Sequence, residues 1–128
     1  MWRRKPQPSA PGGQLYQAVA PRGFAFPGGS CPTVGVLGHL LGGGYGYLAR
    51  PFGLACDNVL SVDLVDPQGK QVHADAQQNA DLFWACRGGG GGTFGIATRY
   101  ELHLIPLTKV LIFNIRSAPC PSRVRQRS

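Results

Sequence analysis

The sequence lacks the local signals of several common sites. Its four cysteines are far apart and form no CxxC pair, and its three histidines are isolated, so we expect no metal site. No Gly-Lys-Ser/Thr sequence occurs, which excludes a triphosphate-binding loop. No apolar run has the length of a transmembrane helix, and residues 6–13 are proline-rich where a signal peptide needs an apolar stretch. We therefore expect no membrane partner.

Charged residues are also scarce, at 15% of the chain, and unevenly placed. Thirteen lysines and arginines against six acidic residues give a net charge of +7. The whole excess lies in residues 1–11 and 116–128, and residues 12–115 are formally neutral. Basic ends beside a neutral body are typical of disordered termini, not of a phosphate-binding groove. We expect one domain at residues 12–115 and no nucleic-acid partner, with a basic-tailed binding module as the weaker alternative.

Periodicity and turn signals predict an α+β domain. The predicted elements are a helix at residues 14–20, a brief strand at 24–26, hairpin strands at 59–65 and 70–74, a helix at 79–87, a long strand at 94–105 and a last strand at 110–115. Asp66-Pro67-Gln68-Gly69 has the residues of a type I turn and joins the hairpin strands. Strands of this kind with added helices predict an antiparallel β-sheet flanked by helices, not an alternating parallel sheet.

The same patterns predict details of packing and of helix ends. Side chains expected to share one face are Leu60, Val62 and Leu64 on the first hairpin strand, and Ile96, Thr98, Tyr100, Leu102 and Leu104 on the long strand. In the helix at 79–87, we expect Asn79 to cap the start, Arg87 to complement the negative end and Gly88 to be the left-handed stop. Residues 82–85 are expected to form a broad apolar surface. We expect Pro106 to end the long strand.

Glycine is abundant, with 19 residues, and much of it lies in residues 42–46 and 88–95. The first cluster contains Gly44-x-Gly46-x-x-Ala49, a formal match to the dinucleotide-binding fingerprint. We reject that interpretation, because Pro51 and Gly53 would interrupt the long helix that the fingerprint must open. Each cluster alone predicts either a tight chain reversal or a backbone cradle for an anion or a flat ligand. Two clusters around one hairpin favour a shared ligand.

Cys31 and His39 are candidates for chemistry, and each also has a plain structural interpretation. A single cysteine is more often a small buried apolar residue. A single histidine in an apolar segment is more often a core residue with one hydrogen bond. A Cys–His nucleophile pair is conceivable, but no third group is present to orient it. The residues by themselves leave these alternatives open.

Five linked blocks of sequence carry a family resemblance. They are Cys31-Pro32-Thr33-Val34-Gly35; Gly38-His39 with Gly42-Gly43-Gly44-Tyr45-Gly46; Gly53-Leu54-Ala55 with Asp57-Asn58-Val59; Asp81-Leu82-Phe83-Trp84-Ala85; and Arg87-Gly88-Gly89-Gly90-Gly91-Gly92 with Phe94-Gly95. In this order, over residues 12–115, they resemble the flavin-binding signature of the berberine bridge enzyme-like oxidases, in the vanillyl-alcohol oxidase group. The resemblance implies the second lobe of a PCMH-type FAD-binding domain.

The resemblance implies FAD as the cofactor and a small-molecule substrate. In many members the cysteine matching Cys31 is bonded through sulfur to C6 of the flavin, and His39, the implied catalytic residue, supports the flavin's orientation and attachment. The implied reaction passes hydride from a substrate C–H bond to flavin N5, and O2 then reoxidises the flavin to give H2O2. The implied cofactor-binding residues are Cys31, Thr33, Val34, Gly35, Gly38, His39, Gly42, Gly43, Gly44, Tyr45, Gly46, Asp57, Asn58, Gly91, Gly92, Phe94, Gly95 and Ile96.

The sequence also departs from the family pattern. Leu37 stands where the family usually has glycine, and we expect its branched side chain to crowd the flavin or to shift the loop. Cys56 and Cys86 replace small or aliphatic residues, a milder change. No part of the sequence matches the family's upstream lobe or its substrate domain, so we expect a truncated oxidase. The alternative is a catalytically inactive remnant that binds FAD weakly or acts only through protein contacts.

Overall fold

The computed structural model describes residues 3–4, 10–106, 109, 111, 113 and 115. Its strands are β1 (Arg3–Arg4), β2 (Phe24–Ala25), β3 (Val59–Val65), β4 (Gln71–Asp75), β5 (Ile96–His103) and β6 (Ile105–Pro106). Its helices are α1 (Gly12–Val19), α2 (Val36–Leu41), α3 (Ala49–Phe52) and α4 (Ala80–Ala85), with 3-10 turns at Ala20–Arg22 and Cys56–Asn58. Within the part of the chain that is described, no helix is long and apolar enough to cross a bilayer.

The strands form two antiparallel sheets. The main sheet has the order β1-β5-β3-β4, and a small second sheet pairs β2 with β6. One continuous core joins apolar side chains of α1, α2 and α4 to those of β3 and β5; its most buried members include Leu40, Val62, Leu64, Tyr100 and Leu102. The predicted α+β class, an antiparallel sheet flanked by helices, is confirmed.

The hairpin of β3 and β4 forms where its turn residues predict it. Asp66 Oδ1 accepts hydrogen bonds from the backbone N–H groups of Gln68 and Lys70, at 3.0 and 2.8 Å. Gly69 has a φ of 81°, which favours glycine, and its N–H donates to Asp66 O. The turn therefore closes through short-range contacts within residues 66–70.

A bulge in β5 changes which side chains reach the core. Thr98 is an extra residue between the partners of Asp63 and Leu64, and its hydroxyl donates to Asp63 O at 3.1 Å. One inserted residue moves the side chains beyond it to the opposite face. Ala97 is therefore buried and Ile96 is 73% exposed, so the prediction that Ile96 and Thr98 share the core face was wrong. The rest of that predicted face is buried as expected: Tyr100, Leu102 and Leu104.

A second register shift lies at the start of β3. Leu60 is the extra residue there, since Val59 pairs with Leu102 and Ser61 with Glu101. Val59 takes the buried position and Leu60 is only half-buried, which corrects the prediction for Leu60. The other two residues predicted for that face are buried: Val62 and Leu64.

Helix α4 is shorter than predicted and begins without the expected cap. Asn79 has a left-handed backbone, φ 51°, and its amide donates to the backbone oxygen of His73 at 2.6 Å instead of capping the helix. Phe83 is buried but Trp84 is 78% exposed, so residues 82–85 contribute one deep side chain and not a broad apolar face. Gly88 has a φ of 116°, as expected for the residue that stops the helix.

Both ends of the described chain differ from the sequence prediction. Residues 1–11 were expected to be disordered, but Arg3–Arg4 pairs with the edge of β5, and Ala10 O accepts a hydrogen bond from Val36 N at 3.0 Å. An open strand edge offers unpaired N–H and C=O groups that favour such pairing. Pro106 belongs to β6, where it pairs with Phe24. The predicted strand at 110–115 and the predicted disordered end at 116–128 fall on residues that are not continuously described.

An ion-pair cluster occupies the face of the sheet opposite the core. His73 Nδ1 lies 2.5 Å from Asp63 Oδ1, and His73 Nε2 lies 3.3 Å from Asp75 Oδ2. Arg99 Nε is 3.8 Å from the other Asp63 oxygen. The hydrogen bond to Asp63 raises the pKa of His73, with a smaller contribution from Asp75. The imidazole, when protonated, therefore pairs with carboxylates on both β3 and β4.

Candidate cofactor site

A cavity of about 310 Å³ lies between helix α1 and helix α2. Its walls come from α1, from the loop at residues 26–31, from the start of α2 and from the loop at residues 45–47. Two aromatic side chains at its wall, Tyr45 and Tyr47, are 81% and 80% exposed. The cavity therefore has an apolar interior and an open, aromatic side, which suits a small planar ligand.

The cavity brings together five of the residues implied by the family resemblance, which are Cys31, Val34, His39, Tyr45 and Gly46. Cys31 is an exposed free thiol, so the interpretation of Cys31 as a small buried apolar residue is wrong. His39 and Cys31 are eight positions apart in sequence, and the chain between them turns into α2. The sequence order alone did not establish that both would line one cavity.

The His39 ring is enclosed by glycine backbone. A Cβ atom on Gly29 would lie 3.0 Å from its Cε1, and one on Gly44 would lie 2.6 Å from its Cδ2. Gly44 also has a φ of 68°, so this position favours glycine for two independent reasons. His39 Nε2 is buried and has no hydrogen-bond partner among residues 10–106. Burial lowers the pKa of His39, which favours the neutral ring.

The two glycine clusters are neighbours in space. Gly90 N donates to Leu41 O at 2.9 Å, and a Cβ on Gly88 would lie 3.7 Å from Gly43 Cα. The loop after α3 joins the same region, because Cys56 N donates to Gly43 O at 2.9 Å. These contacts place the two clusters beside each other, and the shared ligand stays a prediction. Bare backbone with positive φ angles is thus concentrated at one end of α2.

Arg87 holds this arrangement from the end of α4. Its Nε donates to the backbone oxygen of Cys56 at 2.9 Å, its Nη2 lies 3.5 Å from Asp57 Oδ1, and its guanidinium lies over the Phe83 ring at 5.2 Å. Arg87 therefore connects loops that are distant in sequence. The sequence analysis predicted only that Arg87 would complement the negative end of the helix. The hydrogen-bond acceptor, Cys56 O, is 31 positions away from Arg87 in sequence. No local sequence pattern predicts this hydrogen bond.

Other residues implied by the resemblance do not line the cavity. Asn58 is buried, and its amide donates to Phe52 O and Leu54 O at 3.0 Å each; Asp57 Oδ2 accepts from Leu54 N at 2.8 Å. These polar groups stabilise their own loop. The remainder lie in or around α2, between α4 and β5, or at the first residue of β5: Thr33, Gly35, Gly38, Gly42, Gly43, Gly44, Gly91, Gly92, Phe94, Gly95 and Ile96.

Leu37 does not enter the cavity. It is half-buried and packs against the hydrophobic core, and it is not among the residues that form the cavity wall. The expectation that its branched side chain crowds the ligand is therefore not supported by its position.

The fold and this geometry define a cofactor-binding domain in which glycine backbone, a neutral histidine and an exposed cysteine meet. A family model described as FAD binding domain matches residues 2–75. That match includes residues 2–11, which the sequence analysis placed outside the domain.

Comparisons with individual proteins also indicate an FAD-binding domain. Berberine bridge enzyme-like 12 of Arabidopsis thaliana is 45% identical over 106 residues, which are 80% of this chain and 20% of that protein. The solved structure of Physcomitrella patens BBE-like 1 matches with a TM-score of 0.78 and 42% identity, over 80% of this chain and 22% of that one. Glucooligosaccharide oxidase from Acremonium strictum matches with a TM-score of 0.76 and 39% identity over the same shares.

The chain belongs to the berberine bridge enzyme-like family of FAD-linked oxidoreductases, and FAD is the cofactor of its domain. It spans about a fifth of the length of the relatives that it matches. The site fits this cofactor, since His39 Nε2 is a buried polar atom without a partner in the described chain and the ring lies against glycines at which a Cβ atom would collide with it.

Proposed function

We propose that this chain is the flavin-holding part of an FAD-dependent oxidase, with Cys31 as the attachment point and His39 as the residue that orients the cofactor. The observation that carries the proposal is the meeting of Cys31 and His39 in one cavity, beside the glycine backbone of residues 42–46. When bound, FAD supplies an acceptor for hydride from a substrate C–H bond and returns the electrons to O2 as H2O2.

The position of Cys31 supports its role as the attachment point. Its thiol is exposed at the cavity, whereas Cys56 and Cys86 are buried and burial raises the pKa of both thiols. The glucooligosaccharide oxidase of Acremonium strictum contains a 6-S-cysteinyl, 8α-N1-histidyl FAD. Attachment through Cys31 would form an S–C bond while the thiol and the ring C–H lose one hydrogen each, and O2 would take up both as H2O2.

His39 has a different task in the proposal. Its lowered pKa keeps the ring neutral at neutral pH, so Nε2 serves as a hydrogen-bond partner without adding a charge. The glycines on either side leave the ring little room to rotate. We assign His39 the role of holding a polar atom of the cofactor at a set position, and the remaining implied residues, from Thr33 to Ile96, the role of a backbone cradle.

The test is flavin incorporation by the whole chain. The chain is refolded with FAD, and absorbance is measured before and after acid precipitation. We expect wild type to keep yellow colour in the precipitate, and Cys31→Ala to bind FAD that acid releases. Ser30→Ala, which changes the neighbouring residue of the same wall, is the matched control and should behave as wild type. Covalent flavin in Cys31→Ala would remove Cys31 from the role, and colourless wild type would favour the inactive remnant.

A further inference from the structure

Tyr16 connects α1 to the loop that carries Cys31. Its hydroxyl donates a hydrogen bond of 2.6 Å to the backbone oxygen of Gly29, two residues before Cys31. The loop lies close against this side chain, because a Cβ atom on Gly28 would overlap the Tyr16 hydroxyl. Tyr16 also lines the cavity that contains Cys31.

Backbone contacts hold the loop on its other sides as well. Gly13 N donates to Pro32 O at 2.8 Å, which fixes the chain just after Cys31. A Cβ atom on Gly46 would overlap Gly28 O, so the segment at residues 45–47 touches the loop directly. Burial raises the pKa of Tyr16, so its hydroxyl remains a donor throughout the neutral pH range.

We propose that Tyr16 is a positioning residue for Cys31. Its hydrogen bond to Gly29 O holds the loop so that the thiol stays at the cavity wall. This inference rests on the proposed function, because what is positioned is the thiol that forms the S–C bond while O2 takes up the two hydrogens. The residue acts through the loop and contacts neither the sulfur nor the reacting ring.

The experiment compares Tyr16→Phe with Tyr100→Phe in the whole chain. Both variants remove one tyrosine hydroxyl, but Tyr100 is not among the residues of the cavity wall, and its hydroxyl has no hydrogen-bond partner in the described part of the chain. Each protein is incubated with FAD, and total bound flavin and acid-stable flavin are followed with time. We expect Tyr16→Phe to bind a near-normal total amount and to attach it about five-fold to ten-fold more slowly, as loss of one hydrogen bond allows. Tyr100→Phe should match wild type in both quantities.

A second measurement needs no flavin. Backbone amide hydrogen exchange of residues 28–33 should be about five-fold faster in Tyr16→Phe and unchanged in Tyr100→Phe. Unchanged exchange would overturn the anchoring role, even if wild type takes up no flavin and the proposed function fails. Faster exchange together with a wild-type attachment rate, or a loss of total and attached flavin in equal proportion, would overturn the positioning role.

Discussion

Replacing Tyr100 by phenylalanine should stabilise the protein, although most core substitutions destabilise. Tyr100 lies on β5 and is 1% exposed, and its hydroxyl has no hydrogen-bond partner in the described part of the chain. Burial, and to a lesser extent Cys86, raises the pKa of Tyr100, so the hydroxyl stays neutral. A buried hydroxyl without a partner has lost its hydrogen bonds to water without a replacement.

The expected magnitude follows from two opposing contributions. Leaving one hydroxyl unsatisfied costs about 1–3 kcal/mol. Removing it leaves a void smaller than a water molecule, which costs a few tenths of a kcal/mol at ~24 cal/mol per Å³. The first contribution is larger, so Tyr100→Phe should raise the free energy of unfolding by about 1 kcal/mol or more, which is roughly 4 °C in Tm for a domain of this size.

The assay is thermal unfolding followed by circular dichroism, with urea unfolding at 25 °C as a second measurement. Tyr47→Phe is the control, because its hydroxyl sits on an exposed ring and its removal should leave Tm unchanged. A lower Tm for Tyr100→Phe would refute the reasoning, since it would show that the hydroxyl makes a favourable hydrogen bond in the folded protein.

Three further substitutions test separate parts of the structure. His73→Gln should remove a pH-dependent stabilisation: the pKa of His73 is raised, so its contact with Asp63 and Asp75 stabilises fully below about pH 6.5 and is lost as pH rises through the raised pKa. The Tm difference from wild type should therefore be larger at pH 5 than at pH 9. Gly46→Ala should cost about 1–3 kcal/mol of stability by overpacking against a backbone oxygen, and reduce FAD uptake in the acid-precipitation assay. Arg87→Lys should cost about 1 kcal/mol in urea unfolding, because lysine cannot keep the Nε hydrogen bond.

A control variant or a contradicting result accompanies each of these substitutions. For His73, Asn79 bonds to the same strand but does not titrate, so Asn79→Ala should shift Tm equally at both pH values. A His73→Gln difference that is the same at pH 5 and pH 9 would contradict the ion-pair account. For Gly46, Gly43→Ala meets no neighbouring atom and isolates the cost of a positive φ from that of a collision. For Arg87, unchanged unfolding in the lysine variant would mean that charge alone holds the loops.

The sequence by itself determined the parts of this protein that depend on neighbouring residues. The turn at Asp66 and Gly69 is closed by contacts within four positions, and alternation of apolar residues specified the hairpin and the long strand. Clustered glycine indicated backbone that must turn or lie close to another group. The ordered blocks that begin at Cys31 indicated the family, because a motif of contiguous residues can be identified without knowing what surrounds it in the fold.

Only the tertiary structure decided which side chains meet. The bulge at Thr98 removed Ile96 and Thr98 from the predicted core face of β5, because one extra residue reverses the side on which the side chains beyond it lie. Tyr16 and Arg87 bond to carbonyl groups 13 and 31 positions away, and the signal for those bonds lies in the packing of whole elements. A local pattern constrains the dihedral angles of adjacent residues, whereas a cavity wall is the sum of contacts between segments that the core brings together.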